Sequence, residues 1–192
     1  MKHITKLIFL ILILFNTSAN SEVKFGIEGG LGFADMRAEE TAQTLANLSG
    51  STVSYTYDEA TWMGRFFADY ALGEELSVEV GYFLTGSLDA TYTITGSSAK
   101  ENYDASGIDA ALVFKQDSAY FKAGMHSSEL NGSASLTIGG TTYNISETIS
   151  GSGFLVGGGI EIDQVRYGLT YYSDLGGDGD SDATFFYAGF KF

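Results

Sequence analysis

From residue 23 onward the chain alternates apolar and polar positions with a period of two, the mark of β-strands whose two faces see different surroundings. Eight segments carry the pattern: Val23–Arg37, Thr61–Leu72, Leu76–Thr85, Ser106–Lys115, Ala119–His126, Gly153–Ile162, Val165–Tyr172 and Ala183–Phe192. Most match the roughly 9–11 residues that a tilted strand needs to cross a bilayer. The connections alternate too. Those at 73–75, 116–118 and 163–164 are tight, whereas 38–60, 86–105, 127–152 and 173–182 are long. An even strand count with short turns at one end and long loops at the other predicts an all-β fold. The expectation is a transmembrane up-and-down antiparallel β-barrel of eight strands, filling residues 23–192, with the tight turns in the periplasm and the long loops outside.

The two faces differ in charge. One carries Phe25, Ile27 and Leu31, then Trp62 and Phe66, Val78 and Val80, Ile108 and Leu112, Phe121 and Met125, Phe154 and Val156, Tyr167 and Leu169, and finally Phe186 and Phe190. No charge interrupts it until Asp35, near a strand end. The opposite face carries Lys24, Glu28, Arg65, Asp69, Glu79, Asp109, Lys115, Lys122, Glu161, Arg166 and Lys191, with glycines between. A charge facing lipid at mid-bilayer costs roughly 2–4 kcal/mol, so the charged face is assigned to the lumen. A secreted lipocalin-like barrel would put its apolar face inward instead. The aromatics favour the membrane. Phe33, Trp62, Tyr171 and Phe186 gather near the loop ends, and Tyr70, Phe114, Tyr167, Phe190 and Phe192 near the turn ends, two girdles suited to two interfaces.

Residues 1–22 have another layout: basic Lys2, His3 and Lys6, an unbroken apolar run from Leu7 to Phe15, then small and polar residues. That predicts a cleaved secretory signal peptide, since a spanning helix needs about 20 apolar residues. The formal net charge of −14 falls further when the leader's lysines go, which argues against nucleic acid as a partner. With no Cys there is no disulfide framework. Twenty-five Gly, 12 Tyr and 14 Phe with no Pro suit long uninterrupted ladders.

The six basic and five acidic lumen residues nearly balance, so mutual ion pairing is expected. An eight-stranded barrel is just wide enough for side chains to fill it. The reading is a plugged barrel; the alternative is a narrow pore for small solutes. Outside the lumen only Arg37 and Lys100 oppose the remaining carboxylates, giving an acidic crown. Within the long loops, Leu88–Ile94 and Ser135–Ile145 alternate, the latter with the hairpin turn signal Gly139-Gly140 inside it, and both read as strands continuing past the bilayer. Exposed edges there can recruit partner strands, which makes adhesion a function to expect. Residues 38–48 predict a short helix with Thr41, Leu45 and Leu48 on one face.

Asp178, Asp180 and Asp182 in DGDSD begin like a calcium loop, but Ala183 stands where Gly belongs and Gly189 where the bidentate Glu belongs. A plain acidic turn is the stronger reading, and no cofactor or metal is expected. The last strand, ATFFYAGFKF, ends on apolar Phe186, Phe190 and terminal Phe192. In that ending, in the strand count and in the turn–loop alternation, the chain resembles the small OmpA-like, OmpX-like and Opa-like outer-membrane barrels over essentially all of residues 23–192. The resemblance implies an outer-membrane location in a Gram-negative envelope, contact with lipid and lipopolysaccharide, and an end read by the barrel assembly machinery. Tyr187 departs from it, standing where the family often has Gly. Some such barrels are lipid A deacylases using a His and a Ser, which directs attention to His126 beside Ser127, Ser128 and Glu129. Neighbours on a strand point to opposite faces, so His126 and Ser127 do not pair, and an interface His is expected. The function expected is a non-enzymatic, monomeric surface barrel, structural or adhesive through its loops.

Overall fold

The computed structural model describes residues 22–34, 38–94, 96–138, 140–177, 179 and 181–192. The leader read over 1–22 therefore lies outside the described residues, apart from Glu22. In chain order the elements are β1 (Val23–Ala34), α1 (Ala38–Ser49), β2 (Ser54–Tyr57), β3 (Ala60–Ala71), β4 (Leu76–Thr85), β5 (Leu88–Ile94), β6 (Ser97–Gln116), β7 (Ala119–Ile138), β8 (Thr141–Ile162), β9 (Val165–Tyr172), a 3-10 turn at Leu175–Gly177, and β10 (Ala183–Lys191).

Eight strands close a ring in the order β6-β4-β3-β1-β10-β9-β8-β7, with β7 pairing back onto β6. All the pairs are antiparallel. The first and last strands lock at the turn end, where Phe25 N donates to Phe192 O at 2.9 Å and Phe192 N to Phe25 O at 2.7 Å. The reversals after β6 and β8 are tight, with Asp117 and Asp163 at φ 54° and 55°. Asp tolerates this left-handed region better than most non-Gly residues, which is why such short turns close here. Among the described residues no helix is long and apolar enough to cross a membrane.

The alternation sorts side chains as the sequence reading requires. Outward apolar residues stay open, Leu31 at 68% and Met125 at 66%, while inward charges are shut away, Glu79 at 0% and Arg166 at 1%. A water-soluble barrel would show the reverse. The lumen is not only charge and glycine, however. Met63, Phe83, Leu155, Tyr172 and Phe185 share the inward parity and form an apolar layer toward the loop end. Tyr70, expected in the outer girdle, is buried, whereas Trp62, Phe114, Tyr167 and Phe186 are exposed on the outside.

Leu88–Ile94 and Ser135–Ile145, expected as strands beyond the bilayer, are strands, and the stretches 97–105 and 127–134 between them and the ring are strand as well. β6 and β7 pair without a break from Gln116↔Ala119 to Ser97↔Ile138, and β7 and β8 continue to Ile138↔Thr141. β5 adds to the outer half of β6, and β2 adds to β5. An open sheet β2-β5-β6-β7-β8 thus stands above one side of the ring. Helix α1 caps it, but not on the face expected. Ala38, Ala42 and Leu45 pack on Ala90, Tyr92 and Ala99, while Leu48 is 81% exposed. Small Ala side chains let the helix approach the sheet closely, which outweighs the larger but isolated Leu48.

Candidate functional site

The lumen is closed by two stacked layers. In the lower one, Arg65 on β3 makes a bidentate pair with Asp109, Nε to Oδ2 at 2.8 Å and Nη2 to Oδ1 at 2.6 Å. Its Nη1 donates to Glu28 at 3.0 Å and Glu79 at 3.2 Å. Arg166 Nη1 reaches the same two carboxylates at 3.1 and 2.5 Å, and its Nε and Nη2 hold Glu161 at 3.2 and 2.9 Å. Lys122 Nζ stands 3.7 Å from Glu28. Lys191 and Lys115 reach both Asp69 and Glu161, with Lys191 at 2.6 Å from Asp69. Both guanidinium groups lie over the Phe67 ring, whose centroid is 4.9 Å from Arg65 and 5.0 Å from Arg166. Gly81 leaves the room: a Cβ there would meet Arg65 Nε at 2.6 Å. Each buried charge faces an opposite one, and all but Lys122, which lies 4.9 Å from the Tyr187 ring centroid, are hydrogen-bonded to it, the condition under which burial of charge is tolerated.

Lys24 does not join this cluster. It is half exposed at the turn end, 3.5 Å from Glu22, because the first residues of β1 open to solvent. The other lumen residues read from the sequence lie inside the ring.

The upper layer is aromatic. Phe83 and Tyr172 pack with centroids 4.8 Å apart, and His126 meets both edge-on at 6.1 and 5.6 Å. His126 is thus a lumen residue, 3% exposed, not one at the membrane interface. β7 continues well past it, so the position is interior to a strand rather than at its end. Its Nε2 lies 2.6 Å from Ser173 O. A carbonyl only accepts, so Nε2 carries a proton and donates. Gly176 N donates to Ser128 Oγ at 2.9 Å, and Leu175 is buried beneath the turn. Residues 173–177, after β9, are thereby folded down as a lid over the aromatic layer.

Above the lid stands the open sheet. Across it run polar rows such as Asp89–Asn102–Ser133–Ser146 and Thr91–Lys100–Ser135–Asn144, lining an open cleft of about 510 Å³. The other face is apolar along Tyr92–Ala99–Leu136–Tyr143 and Ala90–Glu101–Ala134–Ile145, apart from Glu101. Tyr92 hydroxyl donates to Glu101 at 3.2 Å. Burial, joined by the Glu101 charge, pushes the Tyr92 phenol up to about 12.

Two crystal structures of Ail, the attachment invasion locus protein of Yersinia pestis, are similar to this chain, with TM-scores of 0.54 and 0.55 at 10% and 13% identity. Each match covers 89% of this chain and 99% of the Ail chain. The fold is that of the small outer-membrane β-barrels. The outer-membrane protein OprG of Pseudomonas aeruginosa matches at a TM-score of 0.46 and 9% identity, over 90% of this chain and 97% of its own. No protein-family model matches, and none of the curated proteins matches in sequence.

On this small outer-membrane barrel the remaining sequence candidates fall as follows. Asp178 and Asp180 lie outside the described residues. Asp182 is engaged locally, accepting from Tyr171 hydroxyl at 2.6 Å and Asp174 N at 3.0 Å. Among the described residues no cluster of three His, Cys, Asp or Glu is set to hold a metal. Phe186, Phe190 and Phe192 face outward at 55%, 43% and 58% exposure. Ser127 faces outward while His126 and Ser128 face inward. The lid and the aromatic layer were missed in the sequence, although Met63, Phe83, Leu155 and Phe185 share the parity of the charged residues.

Proposed function

We propose that this chain is a non-enzymatic outer-membrane surface barrel, an anchor that presents an acidic, adhesive β-sheet to the outside. The observation that carries the reading is the contrast between a lumen shut by the Arg65–Arg166 cluster and a sheet that rises beyond the ring. A solute channel needs a path; a binding protein needs a displayed surface. Residues 1–22 are the export signal removed on the way, and the tight turns face the periplasm. The outward belt contacts lipid and lipopolysaccharide, Phe186, Phe190 and Phe192 serve the barrel assembly machinery, and the barrel works as a monomer.

Ail has been seen in complex with the heparin analogue sucrose octasulfate. A sulfated ligand suits this chain poorly. Among the described residues of the sheet, helix and lid, Lys100 is the one cation amid Glu39, Glu40, Asp58, Asp89, Glu129 and Glu147. Like-charge juxtaposition costs affinity, so the surface ligand is neutral or basic.

The test is direct. Cells displaying the protein are scored for attachment to host cells and surfaces, and the purified barrel is studied in planar bilayers. Attachment that disappears on trimming the β7–β8 hairpin, with no steady conductance, supports the reading. A steady open conductance without attachment would replace it with a channel.

A further inference from the structure

We propose that the edge of β8 from Thr141 to Thr148 is a strand-addition site for an extended, basic segment of a partner protein. The proposal rests on the surface-binding reading above and names its mode and partner.

The edge is open by construction. β8 pairs with β7 along Thr141–Ile160, but with β9 only from Leu155 to Ile162. The lid closes the lower part of the gap: a Cβ on Gly151 would meet Gly177 Cα at 2.2 Å, and Gly176 lies against Ile149. Above that point no described strand lies on the side of β8 away from β7, and every residue from Thr141 to Thr148 is exposed. Eight residues at about 3.4 Å each give a platform of roughly 27 Å.

Free edges in natural sheets are blunted by Lys, Pro, bulges or covering elements. Among the described residues this one has none of these. The segment TTYNISET holds no Lys, Arg or Pro, its register with β7 is unbroken, and it is rich in β-forming Thr, Tyr and Ile. An unprotected edge of that composition invites a strand. The apolar face beside it is also uncovered. Tyr143 lies opposite Leu136 and is 59% exposed, Leu136 is 40% exposed, and Ile145 and Ile138 reach 71% and 51%. Alternate apolar side chains of a guest strand would extend this patch, while its backbone completes the ladder.

Charge chooses the guest. Glu147 lies on the edge itself, Glu129 on the adjoining β7 and Glu101 on β6 beyond it, and Lys100 is the one described cation of the region. A second copy of this chain would set acid against acid. A basic segment gains on both encounter and docking. β2, the sheet's other edge, is four residues long and packs near α1, a poorer platform.

The experiment uses the full barrel in nanodiscs and three labelled eight-residue peptides: alternating Lys and Val, alternating Glu and Val, and the Lys–Val peptide with two central prolines. The Lys–Val peptide should bind at least tenfold more tightly than either control and weaken with salt. On binding, alternate amides within Thr141–Thr148 should gain hydrogen-exchange protection. Of the separate variants Ile145→Pro and Ser146→Pro, one removes an amide aimed at the free side and should lose binding at least tenfold with the ring's exchange pattern intact. Glu147→Lys should weaken binding without altering the fold. Equal binding of the Glu–Val or proline peptide, or protection confined to other strands, overturns the proposal. Host-cell attachment that survives Glu147→Lys and both Pro variants overturns the edge while leaving the adhesive reading standing.

Discussion

Arg65 and Asp109 sit on strands separated by β4, and two parallel N–H···O bonds of 2.8 and 2.6 Å join them across the lumen. The same guanidinium also holds Glu28 and Glu79, so one side chain ties β1, β3, β4 and β6 together. Such a group is worth little relative to an apolar core but is costly to break, because removing one partner strands the others.

Replacing Asp109 or Glu79 with Ala should therefore lower unfolding stability by about 3–5 kcal/mol. Aromatic residues still fill the layer above, so neither variant should open a pore. Denaturant titration in detergent or lipid reads the first effect and planar-bilayer recording the second. Gly81→Ala should act on the same bond from the other side, since its Cβ would stand 2.6 Å from Arg65 Nε. Overpacking of that kind costs about 1–3 kcal/mol. Wild-type stability in all three variants would mean that the cluster does not tie the strands.

The ring was legible because lipid imposes one rule on every strand: no charge outward. Arg65, Glu79, Asp109 and Arg166 betray their face by parity alone. Above the bilayer both faces of a strand meet water, so the rule lapses. Ser127, Ser128 and Glu129 carry no apolar alternation, so the pattern breaks after His126 although β7 runs on unbroken to Ile138. His126 was misplaced for that reason. The face of α1 was hidden differently. Its partners Ala90 and Tyr92 lie about fifty residues away, and a helix read alone cannot announce which face a distant strand will take. The Asp69–Lys191 pair joins residues 122 apart, a contact that closure of the ring creates and no local pattern encodes.

Topology predicts an asymmetry of access. Protease or a membrane-impermeant thiol reagent added to intact cells should reach single Cys replacements at Ser51 or Gly140 in the loops. It should miss those at Glu74 or Asp117 in the turns. Labelling at Asp117 in intact cells would invert the barrel.

The Tyr92 phenol, held up at about 12 by burial and the Glu101 carboxylate, predicts a pH window for the helix-capped end of the sheet. Folded and unfolded chains both keep the phenol protonated below about pH 10. Between 10 and 12 only the unfolded form loses its proton, so the stability gained by raising the pKa is complete below 10 and is lost as pH rises through 12. The difference in 295 nm absorbance between wild type and Tyr92→Phe should have its midpoint near 12. Glu101→Gln should bring that midpoint down. A midpoint near 10 in the wild type would show that α1 leaves the ring in water.

Everything said of the lumen and the sheet depends on which face meets lipid, and that can be read position by position along β4. Val78, Val80, Tyr82 and Leu84 point outward, while Ser77, Glu79, Gly81 and Phe83 point inward. Arg in place of Val80, or of Leu112 and Val156 on β6 and β8, would put a guanidinium in hydrocarbon and should cost roughly 2–4 kcal/mol each. Arg is a blunt probe at the packed inner positions, where its size alone disrupts. A nitroxide label scanned through residues 76–84 is cleaner, because its relaxation by oxygen reports apolar surroundings directly. Oxygen accessibility should be high at the even positions and low at the odd ones. A water-soluble barrel with a dry interior predicts low oxygen at even positions as well, and water-borne relaxation agents at the odd. That outcome would turn the barrel inside out, because Glu79, Arg65 and Arg166 would then have to stand in water rather than in one another's company.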